Sequence, residues 1–253
     1  MKKLSMSLLA AVLFSLVAEN ALALTGNEIL KKAEEAMNAP RDRTATEKMI
    51  LIKADGSAKV RTIRFYQKGN DKRLVIFLSP ADVKGVGFLS LSEDRMYLYL
   101  PAFRKVRRIA SHIKNENFMG TDFSYEDMAE TRYTDDYLAT LQQAQGKEGP
   151  GQYILDLRPR PGADVSYSRQ KVWVDKETFI LTKTEYYSPG GKLIKVLTSG
   201  NIKKVDGYWF PMKMTMETLK TAHRTVLEVV EIKHDSGLAD RFFTERNLKR
   251  QGR

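Results

Sequence analysis

From residue 45 to residue 233, segment after segment of this chain places apolar side chains at alternate positions and then ends in a turn rich in Gly, Pro, Asn or Asp. One stretch keeps a clear helical spacing instead. Successive side chains of a strand point to opposite faces, so this pattern commits most of the chain to half-buried β-strands. Segments 45–53, 60–68 and 73–79, separated by turns at 55–56 and 69–71, read as a three-stranded meander, with Ile63 and Phe65 on one side and Thr62, Arg64 and Tyr66 on the other. Strand character returns at 152–157, 170–175, 179–187 and 192–198, the last pair joined by Pro189, Gly190 and Gly191, and again at 225–233. Residues 137–144 fit a helix as well as a strand, and 238–248 reads as a terminal turn.

The helical exception comes early. Thr25 and Glu28 form a capping box, Ile29, Leu30, Ala33, Ala36 and Met37 share a face, and Asn38 and Pro40 end the run. A helix this short is not stable alone in water, so its apolar stripe must lie on the sheet, as core packing or as a lid.

The densest stretch is 83–128. Segments 86–91 and 95–100 flank Ser92, Glu93 and Asp94 as a hairpin. In the second strand Met96, Leu98 and Leu100 share one face and Tyr97 and Tyr99 the other, a pattern wetted on neither side. Gly85 and Gly87 predict a bulge or a close approach of another element. Pro101 then breaks the ladder, and Arg104, Lys105, Arg107 and Arg108 surround Val106, followed by Asp122, Glu126 and Asp127. Two readings stand: a solvated edge whose cations pair with those acids, or an anion-facing rim that suits a lipid headgroup or an acidic partner. Residues 112–136 are polar and interrupted by Gly120, with a short helix expected around 125–130, and suit a mobile lid.

Segment 208–217 puts Tyr208, Phe210, Met212, Met214 and Met216 on one face. Methionine is flexible and polarizable and suits a wall that fits ligands of variable shape, though plain core packing accounts for the pattern equally.

Three strings, KGVGFLSL (84–91), YLYLPAFRKVRRI (97–109) and FMGTDFSYEDM (118–128), in that order and spacing, resemble the outer-membrane lipoprotein-sorting protein family, the LolA-like group. The third is the most specific, through Phe118, Gly120, Thr121, Asp122, Phe123, Tyr125, Glu126 and Asp127; Gly207, Tyr208, Trp209, Pro211, Phe243 and Leu248 add a weaker match near the C-terminus. The resemblance implies a mainly β fold: an open, strongly curved antiparallel sheet, an incomplete barrel, with an N-terminal helix and a short lid segment covering the concave face. It also implies a non-enzymatic periplasmic carrier of lipid or lipoprotein acyl chains. On that reading Phe65, Met96, Leu98, Leu100, Phe210, Met212, Met214 and Met216 line the cavity, and Arg104, Lys105, Arg107 and Arg108 form the partner or headgroup rim. An inner-membrane transporter of the resistance-nodulation-division kind is an implied partner, and the same fold used as a sensor or as an accessory module on such a pump is the alternative.

Residues 1–23 have the parts of a secretory signal: Lys2 and Lys3, an apolar core over 4–18, and Ala21, Leu22, Ala23 as the cleavage site. Removing 23 of 253 residues leaves 230, and losing Lys2, Lys3 and Glu19 lowers the net charge from +11 to +10. That length suits a single β domain over 24–253. With no cysteine, neither a disulfide nor a lipid anchor is expected. An exported basic chain without a nucleic-acid motif points to acidic partners or to peripheral contact with an anionic membrane, not to nucleic acid. His112, His223 and His234 lack metal-ligand spacing, the motifs of hydrolases, metalloproteases and P-loops are missing, and adjacent carboxylates at 126 and 127 diverge by about 100° on a helix. No catalytic residue, metal or cofactor is therefore expected.

Overall fold

A computed structural model describes residues 24–92, 95–129, 132–143 and 151–252. The expected signal peptide, the turn residues Glu93 and Asp94, Glu130 and the stretch 144–150, with the end of the 137–144 segment, lie outside the described residues. The chain is mainly β: thirteen antiparallel strands form one sheet that does not close into a barrel, accompanied by four α-helices among the described residues.

Helix α1 (Gly26–Met37) starts at the Thr25–Glu28 capping box and ends at Asn38, with Ile29, Leu30 and Ala33 buried. The first meander follows as β1 (Asp42–Ile52), β2 (Ala58–Lys68), β3 (Lys72–Ser79), β4 (Gly87–Ser90), β5 (Met96–Leu100) and β6 (Lys105–Arg108). After α2 (Tyr125–Met128) and α3 (Tyr133–Asp136) comes the second: β7 (Tyr137–Gln142), β8 (Gln152–Pro159), β9 (Arg169–Asp175), β10 (Leu181–Tyr187), β11 (Leu193–Val205), β12 (Tyr208–Thr218) and β13 (His223–His234), followed by α4 (Glu245–Gln251).

The meanders join where β1 pairs with β13, Met49 opposite Leu227, so β6 and β7 become the two free edges. This strand order dictates the path of the described residues 109–129 and 132–136 between β6 and β7. They leave one edge and must reach the other, across the full width of the sheet, and they do so over the concave face. Phe118, Phe123 and Met128 of this crossing pack on Met49, Ile63, Phe77 and Phe88 of the strands below.

Strand β5 is covered on both sides, as its alternation predicts: Met96 and Leu98 join the concave cluster, whereas Tyr99 packs on the convex face with Leu74, Ile76, Leu89, Phe243 and Leu248. The element brought close by the glycines is α4, because a Cβ at Gly87 would stand 2.6 Å from the Leu248 side chain. The terminal turn expected over 238–248 is thus in part a capped helix, with Thr244 accepting from the Asn247 amide, that seals the convex face.

The basic run differs from expectation. β5 ends at Leu100, as Pro101 predicts; Pro101 opens a single 3-10 turn, Pro101–Phe103, where its missing amide costs nothing, and Arg104 takes a left-handed conformation (φ 52°) that reverses the chain. Residues 105–108 then pair back onto β5, Leu100 opposite Lys105, and β6 is an edge strand whose charges discourage further pairing.

Candidate functional site

A cavity of about 260 Å³ lies on the concave face between α1, the crossing segment and the central strands. Its apolar wall includes Met37, Phe65, Met128, Leu197, Phe210, Met214, Met216 and Leu227. Of the eight residues expected at the cavity, Phe65, Phe210, Met214 and Met216 stand on this wall. Met96 and Leu98 are buried in the apolar cluster under the other half of the crossing, and Leu100 is partly buried against it. β5 is too far along the sheet to reach the cavity, being four strands from β1. Met212 shares the alternation of β12 but is not part of the lining, where Pro211 and Trp209 stand instead.

The crossing is tied to both meanders through the sequence motif. Phe118 is fully buried against the rings of Phe77, Phe88 and Tyr125, at 5.3–5.8 Å between centroids. Gly120 has a φ of +76°, which a residue with a side chain adopts only under strain. The Thr121 hydroxyl donates to the Phe118 carbonyl (2.7 Å) and closes the turn. Asp122, 1% exposed, is the anchor to β12 and β13: Thr218 and Thr225 hydroxyls donate to its carboxylate at 2.6 Å each, its amide donates to Thr225 Oγ1 (2.9 Å), and His223 Nδ1 stands 2.6 Å from Oδ2. From the first meander, Arg61 donates to the Met119 carbonyl (2.7 Å) and Arg73 to that of Ala129.

Glu126 and Asp127 both face the cavity but engage different partners. Glu126 accepts from the Ser166 amide and hydroxyl, and burial pushes its carboxyl above the usual range against those hydrogen bonds. Asp127 caps α2 with Ser124, accepts from Tyr167 Oη at 2.9 Å and lies 3.4 Å from Lys195 Nζ. The three acids are therefore engaged away from the basic run, which corrects the reading in which they pair with its cations. Arg104, Lys105, Arg107 and Arg108 are all exposed, and none lines the cavity; Arg107 lies over the exposed ring of Phe103, 5.7 Å from its centroid.

The cavity also holds groups that were not expected from the sequence. Tyr133 and Tyr137 from the junction of α3 and β7, Tyr167 from the loop before β9 and Tyr186 from β10 converge here, their hydroxyls pushed up in pKa by burial. Arg43 and Glu47 project from β1 on the same face as Met49 and Leu51. Arg43 donates to the Met37 carbonyl (2.5 Å) and stacks on Phe210, and burial with Arg73 nearby brings it down to about 10. Burial raises Glu47 to about 7, against the pull of Arg43. Charged residues inside a period-two apolar face, Arg43-Ala45-Glu47-Met49-Leu51, are the signal that could have found them.

A family model described as an uncharacterized protein matches residues 69–250. No curated protein matches the chain. Among solved structures, the chain is similar to a domain from Vibrio parahaemolyticus described as outer membrane lipoprotein-sorting, at 32% identity over 87% of this chain and 97% of that one, with a TM-score of 0.78. A DUF1329 family protein from Desulfovibrio piger shares 30% identity over 88% of this chain and 97% of its own, with a TM-score of 0.82. A LolA superfamily protein from Nitrosomonas europaea, 24% identical over 88% of this chain and 99% of its own, has the same fold at a TM-score of 0.74. The chain belongs to the LolA-like family of outer-membrane lipoprotein-sorting proteins.

Proposed function

We propose that this chain is a periplasmic, non-enzymatic carrier, exported by a signal peptide at residues 1–23 and acting as a single domain over 24–253, that shields a lipid or lipoprotein acyl chain and hands it between membranes. The observation that supports this most is the cavity on the concave face, walled by Phe65, Phe210, Met214 and Met216 and roofed by the crossing segment. At about 260 Å³ it is below the range of about 300–1,000 Å³ common for drug-sized ligands. A chain entering it must therefore push wall side chains aside, and Met37, Met128, Met214 and Met216 have the torsional freedom to move.

Burial of a chain of about 16 carbons at about 0.8 kcal/mol per methylene gives a gross gain on the order of 12 kcal/mol, which the home membrane offers as well. Net transfer then rests on an acceptor that binds more tightly. The exposed cations of β6 fit a second role in that hand-over, a peripheral contact with an anionic membrane or with an inner-membrane transporter of the resistance-nodulation-division kind. Uptake of a fluorescent fatty acid tests the carrier reading: Met214→Glu should abolish uptake and keep a cooperative unfolding transition. Unchanged uptake would overturn it.

A further inference from the structure

An aliphatic chain needs only a hydrocarbon wall, yet the central strand β1 aims two opposite charges into the cavity. Glu47 is 4% exposed and makes no hydrogen bond or ion pair with any described residue. Its neighbours across the sheet are Ile63 on β2 and Val229 on β13, which offer its carboxyl nothing. Four positions along the same face, Arg43 is 8% exposed and spends one donor on the Met37 carbonyl; no other described residue accepts from its guanidinium, which has five N–H groups. Buried charges without partners are costly and are normally paired. Glu47 has no such partner among the described residues, and Arg43 keeps donors to spare beyond the Met37 carbonyl and the Phe210 ring; open to one cavity, the two are complementary to a ligand that carries both signs.

We propose that Arg43 and Glu47 read the head of the cargo: the cavity takes a zwitterionic amphiphile whose phosphate accepts from Arg43 and whose ammonium donates to Glu47, with its acyl chain along Phe65, Met214 and Leu227. This rests on the carrier reading and names its ligand class. A simple fatty acid would satisfy Arg43 and leave Glu47 unpaired beside a second anion, so the two ligand types are distinguished by charge at one position.

The test is direct binding of two single-chain probes of equal length, palmitoyl lysophosphatidylethanolamine and palmitate, to the full chain and to its Glu47→Gln and Glu47→Leu variants by titration calorimetry. The full chain should bind the lysophospholipid at least tenfold more tightly than palmitate, and both variants should lose that preference while keeping palmitate. Equal affinity for the two probes in the full chain overturns the head reading and leaves the carrier reading standing, as does a preference that survives in both variants. Binding of neither probe overturns the carrier reading and this proposal with it. The ratio in the unsubstituted chain decides the matter even where a variant does not fold.

Discussion

The crossing segment covers two halves of one concave face, and beneath it the halves differ in kind. Under residues 109–123, the strands β3 to β5 contribute Phe77, Phe88, Met96 and Leu98 to a filled cluster of rings and aliphatic side chains with Phe118, continuous with Met216 and Leu227 of the other half, and Arg61 lies over the Phe77 ring. Under residues 123–136, β1 and β2 with β10 to β13 surround a cavity that mixes Phe210, Met214 and Leu227 with Arg43, Glu47, Asp127 and four tyrosines. Sheet, alternation and roof are the same. Space filled by hydrocarbon holds the crossing in place, whereas space left open beside buried charge gives up stability, and such a trade is usual where a protein binds something.

The largest effect is expected in the filled half. Phe118→Ala removes a fully buried ring and should cost about 3–5 kcal/mol in urea unfolding, since the surrounding cluster relaxes only in part. Each folded molecule of that variant should still take up fatty acid.

In the cavity half the sign reverses. Burial raises the folded pKa of Glu47 to about 7 against the pull of Arg43, so the folded state holds its proton more tightly than the unfolded state. Stability from this group is full below the unfolded value near 4.5 and is lost as pH rises through about 7. Glu47→Gln should therefore match the wild type near pH 4 and exceed it near pH 8, by about 3 kcal/mol at most at about 1.4 kcal/mol per pKa unit. Paired denaturant titrations at the two pH values check this, and a variant less stable at pH 8 would show that the carboxylate is well solvated or paired.

The smallest effect lies outside both halves. Lys105→Ser with Arg107→Ser, at alternate exposed positions of the edge strand, should change stability by no more than about 0.5 kcal/mol. Transfer to anionic vesicles should slow, and the slowing should shrink with added salt, as expected for exposed charges screened over about 8 Å at physiological ionic strength. A loss of bound lipid at every salt concentration would instead place these cations in the binding site.

The sequence pattern was most legible where one local rule decides the outcome. Alternation gave most strands and both buried faces of β5, though not β6 or the choice of strand over helix at 137–142, and the Thr25–Glu28 box gave the start of α1. On β12 the same alternation selected Phe210, Met214 and Met216. It misled at Met96, Leu98 and Leu100, because alternation tells which face a side chain takes and not how far along the sheet its strand lies. Arg43 and Glu47 were missed for a different reason: a charge within a strand ordinarily marks the solvent side, and only their shared parity with Met49 and Leu51 reveals otherwise. Tyr167 and Tyr186 carry no local signal, since the topology alone brings them to Tyr133 and Tyr137. The role of Asp122 needed the strand order as well, because its partners Thr218, His223 and Thr225 lie about a hundred residues away.

The central claim is that the two halves divide structure from binding, and the most direct measurement sets Met214→Glu beside Phe118→Ala in one assay of fluorescent fatty acid uptake, normalised to the folded fraction. The account predicts that Met214→Glu folds cooperatively and takes up nothing, and that Phe118→Ala is strongly destabilised yet binds as the wild type does. Normal uptake by Met214→Glu, with uptake lost in folded Phe118→Ala, would contradict it.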